Sequence, residues 1–427
     1  MMILKRELEL EQLQKDFEKP VSSYLFVFGR KQIGKTILLQ EYTKDKSTLF
    51  LSCIEVLPHI LFESFQKQIT QKYEQTTTNI ETFGDFLLWL THISFTKKTV
   101  IVFDDFHTLF KIEKRCLETF YKQWNNHLKQ KNIQIVLSSS ICFHTKEEAI
   151  IYQNASENIV LDAFGYETIK NLLPEISKED QLKLFALFGT HFNCFEHYNV
   201  SKSFEQNLND ILRQNQHAIV QQGWYFLKSE LGETATYASI LYAIANGKNK
   251  IGEIAQTLGV KSSYLTRYLQ KLNEMMLIKK RVPMNEDFAY SKFGRYTIED
   301  NFLRFWFRCV YVNLAMYEQN SMSRFVDLVL KTLYDELLPQ TFQAHMYNVI
   351  VKHFETFFHY KPLQIGSWWS NKDQPIDLVA FDDSTITFIQ LQYQASQNSK
   401  QIYEELKIKS DAFQTVLNKR FALFSSQ

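Results

Sequence analysis

The stretch Gly29-Arg-Lys-Gln-Ile-Gly-Lys-Thr36 constrains this chain more than any other. It follows the apolar run Tyr24-Leu-Phe-Val-Phe28 and precedes Ile37-Leu-Leu-Gln-Glu-Tyr42, where the spacing predicts a helix. A strand, a glycine loop and a helix in that order match the pattern G-x-x-x-x-G-K-[ST] at every fixed position. Only 12 glycines occur among 427 residues, so composition alone does not readily supply such a loop. Gly29 and Gly34 let the backbone turn N–H groups toward phosphate oxygens, and the helix that follows adds its positive end. Lys35 would bring a point charge to the β- and γ-phosphates, and the Thr36 hydroxyl would ligate Mg²⁺. A nucleoside triphosphate is the first ligand to expect.

A second apolar run, Lys98-Lys-Thr-Val-Ile-Val-Phe-Asp-Asp-Phe-His107, reads as a buried parallel strand that ends in two carboxylates. Asp104 would stand at the strand's C-terminal end, where open α/β sheets place their ligands, and would hold Mg²⁺ opposite Thr36. Asp105 is the candidate that polarises the attacking water. It is one methylene shorter than glutamate, so hydrolysis is expected to be slow or to wait on a partner. A third strand, Asn132-Ile-Gln-Ile-Val-Leu137, ends in Ser138-Ser139-Ser140. Ser139 is the candidate reader of the γ-phosphate, although serines at a strand end also simply open loops. Helix-like runs at Ile54–Tyr73, Ile80–Thr91 and Lys114–Lys129 alternate with these strands, which implies a parallel sheet.

Length and charge bound the remainder. A chain of 427 residues exceeds what one hydrophobic core usually serves, and 45% hydrophobic with 22% charged residues is ordinary globular composition. A net charge of +1 offers no global argument for nucleic acid, so any basic surface must be local. The cysteines, Cys53, Cys116, Cys142, Cys194 and Cys309, are scattered and odd in number, which disfavours a disulfide framework or zinc site and suits a reducing cytoplasm. The N-terminus turns charged after Leu4 and no apolar stretch approaches the roughly 18 residues of a membrane span. A cytoplasmic protein without a membrane partner is expected.

Beyond the core, 1–163, the pattern predicts a helical lid at 164–229, with Tyr166–Leu173 and Asp180–Phe188 as short amphipathic helices. Residues 230–299 read as a winged helix: Ala238–Asn246, Ile251–Leu258, a turn at Gly259, the helix Ser263–Met276, and a basic hairpin from Leu277–Val282 to Tyr290–Ile298. In a DNA-binding role Arg267, Gln270 and Lys271 would face base edges or phosphates, and Lys279, Lys280 and Arg281 the backbone. The alternative is a protein-interaction arm. A helical connector at 300–340 leads to 341–427, where a strand with Asp377 and another ending Gln390-Leu-Gln392 resemble the D…(D/E)-x-K hairpin of restriction-like nucleases. Glutamine at the acidic and lysine positions supplies no charge for a divalent ion, so a nuclease-like fold without cleavage is expected.

Taken together these residues resemble the archaeal-type ATPases of archaea and bacteria, a signal-transduction branch of P-loop ATPases within the AAA+ group. The resemblance rests on Leu4-Lys-Arg-Glu-Leu-Glu-Leu10, similar to the family's R-E-x-E-L box, on Gly29–Thr36, Asp104-Asp105 and Ser138–Ser140, on the Asp300-Asn-Phe-Leu-Arg-Phe-Trp-Phe-Arg308 run, and on Trp368–Ala380. It implies an α/β parallel-sheet core with lid, winged helix and C-terminal α/β nuclease-like domain, ATP and Mg²⁺ as ligands, and Arg6 and Glu7 near the nucleotide. Departures are Asp105 for Glu, Gln390 and Gln392, and Gly189-Thr-His-Phe-Asn193 in place of the family's G-G-x-P. The leading expectation is an ATP-gated switch with slow hydrolysis, acting on a protein partner. A DNA-binding regulatory or defence protein gated by ATP and an interaction scaffold with a structural ATP site are the alternatives.

Overall fold

Strands whose side chains are apolar in both directions need cover on both faces, and the first unit supplies it. The computed structural model describes residues 6–73, 79–140, 146–191, 194–195, 198–228, 234–288, 290–318, 321–370, 375–394 and 399–426. By internal contacts the chain falls into two units: Met1–Asp162 with Glu274–Met276, and Ala163–Asn273 with Leu277–Gln427.

In the first unit, strands β1 (Ser23–Phe28), β2 (Thr48–Ser52), β3 (Thr99–Asp104), β4 (Ile133–Ser139) and β5 (Glu157–Val160) form a parallel sheet in the order β2-β3-β4-β1-β5. The expected parallel α/β core is therefore present. Strand alternation sorts the side chains into two layers. Tyr24, Phe26, Phe28, Phe103, Ile135 and Leu137 face one cluster, covered by the helices Pro58–Lys72, Phe83–His92 and Cys116–Asn126. Leu25, Val27, Val100, Val102 and Val136 face the other, with Leu13 of helix Glu7–Phe17 and Leu38, Leu39 and Tyr42 of helix Lys35–Thr43. Phe103 meets Phe83 and Phe86 edge-on, with ring centroids 5.4 and 5.3 Å away. Each such pair adds about 1 kcal/mol beyond the area it buries.

Local chemistry shifts the helix starts. The run read as a helix from Ile54 begins only at Pro58, because proline takes the first helical position while Leu57 before it is held extended. The next helix starts at Phe83, where Thr82 and Asp85 form a capping box.

The second unit opens with helices that include Tyr166–Leu172, Lys178–Phe188, Phe204–Gln214 and Gln216–Lys228. Thr234–Ala245, Ile251–Leu258 and Ser262–Glu274 follow, the second ending on Gly259 at φ 67°, a left-handed position that suits glycine. Strands β6 (Lys279–Arg281) and β7 (Arg295–Thr297) pair antiparallel and are far shorter than the hairpin arms read from the sequence. The hairpin leans on the later sheet: Met284 N–H donates to Ser367 O at 3.0 Å, Trp369 Nε1–H donates to Phe293 O at 3.0 Å, and Arg295 lies 4.5 Å over the Trp369 ring.

The chain ends in a mixed sheet, β11-β10-β9-β8, made of β8 (Gln364–Trp369), β9 (Pro375–Phe381), β10 (Thr385–Gln392) and β11 (Asn418–Ser425). The pairs β8–β9 and β9–β10 are antiparallel and β10–β11 is parallel. Between the helical parts, Trp306–Val310 and Leu333–Leu337 each form a π-helical turn, and Arg308 on one makes a two-pronged ion pair with Glu336 on the other.

Candidate functional site

The P-loop crosses from β1 to its helix with Gly34 at φ 99°, a conformation a side chain disfavours. Lys35 is 5% exposed and its Nζ donates to Gly29 O at 2.9 Å, Arg30 O at 3.3 Å and Ser140 Oγ at 2.8 Å. The loop thus holds its cation among oxygens at its own centre. One residue on, Thr36 Oγ1 donates to Asp104 Oδ2 at 2.6 Å.

Asp104 is the last residue of β3 and is buried. Its other carboxylate oxygen accepts from Ser138 Oγ, and that hydroxyl in turn accepts from the Asp105 N–H at 2.9 Å. Asp105 adopts φ 53°, a left-handed conformation that Asp tolerates better than most residues, and its 42% exposed side chain lies 4.0 Å from Lys35 Nζ. The neighbouring Cys53 thiol is pushed well up by burial first and then by the charges of Asp104 and Asp105. It is no thiolate nucleophile at neutral pH.

The serine cluster divides by face. Asp104 is in phase with Val100 and Val102, and Ser138 and Ser140 are in phase with Val136, all toward the layer of the loop helix. Ser139, the residue the sequence singled out, is in phase with Leu137 and the opposite layer, and its backbone oxygen accepts from Gly29 N at 3.2 Å. The hydroxyls brought to Lys35 and Asp104 are those of Ser140 and Ser138. Sequence reasoning also missed His107, whose Nδ1 accepts from Ser140 N–H at 3.3 Å. The strand phase of Val100 and Val136 was the available signal for the serines, whereas nothing local marked His107.

Arg6 donates to Ile33 O in the loop at 3.2 Å and to Asp162 O at 2.9 Å, while Glu7 is exposed. Among the described residues no group of three or more His, Cys, Asp or Glu is set to hold a metal. The paired Thr36 hydroxyl and Asp104 carboxylate nevertheless fit Mg²⁺, a hard cation that takes few protein oxygens and completes its shell with water and phosphates. A loop with an inward lysine and a helix N-terminus fits the phosphates.

In the second unit, Arg267 and Gln270 are exposed, Lys271 is half-buried, and Arg267 stacks 4.6 Å over Tyr268 while donating to its hydroxyl at 2.7 Å. Of the hairpin cations Lys279 is exposed, Lys280 donates to Phe288 O at 3.0 Å, and Arg281 pairs with Glu299 at 3.0 Å. Asp377 on β9 accepts at one oxygen from the Gln390 amide and from the Leu391 N–H at 2.7 Å. Burial raises its carboxyl to about 6, against the pull of that backbone bond. The lid stretch at Gly189–Asn193 lies partly outside the described residues, as do Leu4 and Lys5.

Residues 3–186 match the family described as an ATPase domain predominantly from Archaea. Residues 306–402 match one described as archaeal and bacterial proteins of unknown function. An uncharacterized protein of Methanocaldococcus jannaschii is 26% identical over 421 residues, covering 96% of this chain and 92% of its own length. Among solved structures, Aeropyrum pernix Orc1 in complex with DNA is similar at 13% identity and TM-score 0.35, over 76% of this chain and 94% of that one. Pyrobaculum aerophilum Cdc6p is similar at 14% identity and TM-score 0.32, over 79% and 96%. Likeness at that level carries no functional weight. No helix among the described residues is long and apolar enough to cross a membrane.

Proposed function

Because this chain carries the ATPase domain found predominantly in archaea, joined to a C-terminal domain shared with archaeal and bacterial proteins of unknown function, we propose that it is an ATP-gated switch with slow Mg²⁺-dependent hydrolysis. One observation carries this reading: the loop places Lys35 beside Ser140 and Thr36 on the Asp104 carboxylate, so charge, hydroxyl and carboxylate converge at one sheet end. The loop N–H groups and Lys35 would bind the phosphates, and Thr36 and Asp104 would hold the ion. When bound, Mg²⁺ supplies charge neutralisation at the phosphates. Asp105 would take the proton of the attacking water, and its short side chain, drawn toward Lys35, supports a low rate. Arg6 would relay the state of the loop, since it bonds Ile33 O and also Asp162 O, at the last residue before the second unit.

The C-terminal domain is read as nuclease-like and inactive. Gln390 and the Leu391 N–H donate to Asp377 where a metal would need to be, and Gln390 and Gln392 put amides where a carboxylate and a lysine would stand. Metal-dependent cleavage of DNA that Asp377→Ala abolished would overturn this part.

The test of the switch is ATP turnover by the full chain, with and without duplex DNA, in wild type, Lys35→Ala and Asp104→Ala. Turnover that depends on both residues supports the reading, and turnover indifferent to both sinks it. A second reading, DNA binding gated by ATP, is favoured by exposed Arg267, Gln270 and Lys279 on one helix and hairpin. Stimulation of turnover by duplex DNA would support it.

A further inference from the structure

We infer that His107 is a positioning residue which, by holding the tip of β4 against Lys35, lets the Ser140 hydroxyl read the γ-phosphate. The inference rests on the reading of the loop as an ATP site and goes beyond it by naming how triphosphate is told from diphosphate.

Two bonds meet at Ser140. Its hydroxyl accepts from Lys35 Nζ at 2.8 Å, and its backbone N–H donates to His107 Nδ1 at 3.3 Å. His107 stands in the single turn Phe106–Thr108 directly after Asp104 and Asp105, so one short segment carries the metal-side carboxylate, the water-side carboxylate and this imidazole. Gly29 N–H donates to Ser139 O at 3.2 Å, which ties the same strand tip to the start of the loop. Ser140 is 1% exposed, past the end of β4, where strand pairing no longer holds its backbone. His107 therefore supplies the acceptor that the sheet does not.

The consequence is geometric. Lys35 in its present place shares its donors among Gly29 O, Arg30 O and Ser140 Oγ. Phosphate oxygens compete for those same protons, and the more oxygens a ligand brings, the more fully it takes them. A Ser140 hydroxyl fixed in place then has a donor to offer the ligand, whereas one on a loose strand tip does not. Because Nδ1 accepts, the neutral ring carries its proton on Nε2. Asparagine at this position offers Oδ1 close to where Nδ1 stands, and phenylalanine fills the space without an acceptor.

The experiment measures dissociation constants of ATPγS and ADP with Mg²⁺, by calorimetry on the full chain, in wild type, His107→Asn, His107→Phe and Ser140→Ala. Wild type is expected to favour ATPγS. The preference should fall roughly 3- to 10-fold in His107→Phe and in Ser140→Ala, the worth of one hydrogen bond, and return in His107→Asn. An unchanged preference in His107→Phe overturns the inference, as does an equal loss in His107→Asn. Should His107→Phe fail to fold, His107→Ala decides in its place: a fall in preference supports the inference and an unchanged preference overturns it. Wild type that binds both nucleotides equally defeats this inference only, whereas wild type that binds neither defeats the ATP-site reading itself.

Discussion

The Thr36 hydroxyl lies 2.6 Å from the Asp104 carboxylate although the two residues stand on different elements, the first turn of the loop helix and the end of β3. Their meeting depends on strand order. β4 separates β1 from β3, so the loop helix must lie across β4 to bring Thr36 over Asp104. Ser138, on the intervening strand, donates to the other carboxylate oxygen of Asp104 and completes the contact.

Removing either partner should separate ion binding from phosphate binding. In Thr36→Ala and Asp104→Asn the gain in ATP affinity that Mg²⁺ provides should shrink by roughly 10-fold or more, the range of contacts to charged groups. Binding without Mg²⁺ should change little. Titrations with and without the ion check this, and an undiminished gain in both variants would count against the site.

Asp105→Glu restores the missing methylene and should raise ATP turnover, approaching the roughly 10²-fold lower range of general-base effects. The same change puts a longer side chain at φ 53°, so the melting temperature should drop slightly, for a cost of up to about 1 kcal/mol. Steady-state rates together with thermal melting test both halves, and slower turnover in a folded variant would refute the weakened-base account.

Asp377 makes stability depend on pH. Its carboxyl is raised from 3.8 to about 6, chiefly by burial, so the folded chain holds a proton there that the unfolded chain has released. That contribution is fully present below about pH 4 and is lost as pH rises through about 6. Asp377→Asn keeps an acceptor for Leu391 without the charge. The variant's melting temperature should therefore gain on wild type between pH 4 and 6, by on the order of 2–4 °C for each kcal/mol, and hold that lead above. A difference flat across the range would show that Asp377 titrates normally.

For DNA, the cations should not behave alike. Arg267 is exposed, whereas Arg281 is engaged by Glu299 and lies 5.7 Å over the Tyr347 ring. Where duplex binding by the full chain falls steeply with salt, Arg267→Ala should lower the log–log slope by about 1. Arg281→Ala should leave that slope unaltered. A flat salt response at low affinity would remove the DNA reading.

Sequence alone determined the parts that are local. The loop glycines, Lys35 and Thr36 work through backbone freedom and a helix end only a few residues away, so their pattern carries their chemistry. Apolar runs marked β1, β3 and β4 because a parallel strand buried on both faces has few other compositions. What only the tertiary structure decided is which side chains meet. Ser139 was legible as a residue at a strand tip, but its face follows from register against β1 and β3, and that register brings Ser138 and Ser140 to the site instead. Arg281 was legible as a cation, yet Glu299 beside it in the folded hairpin takes its charge. Gln390 and Gln392 signalled lost charge, while only the β9–β10 pairing shows Gln390 donating to Asp377. The physical reason is the same in each case: charge and hydrogen-bonding type are properties of a residue, but a bond needs two atoms about 3 Å apart, and long-range packing sets that distance.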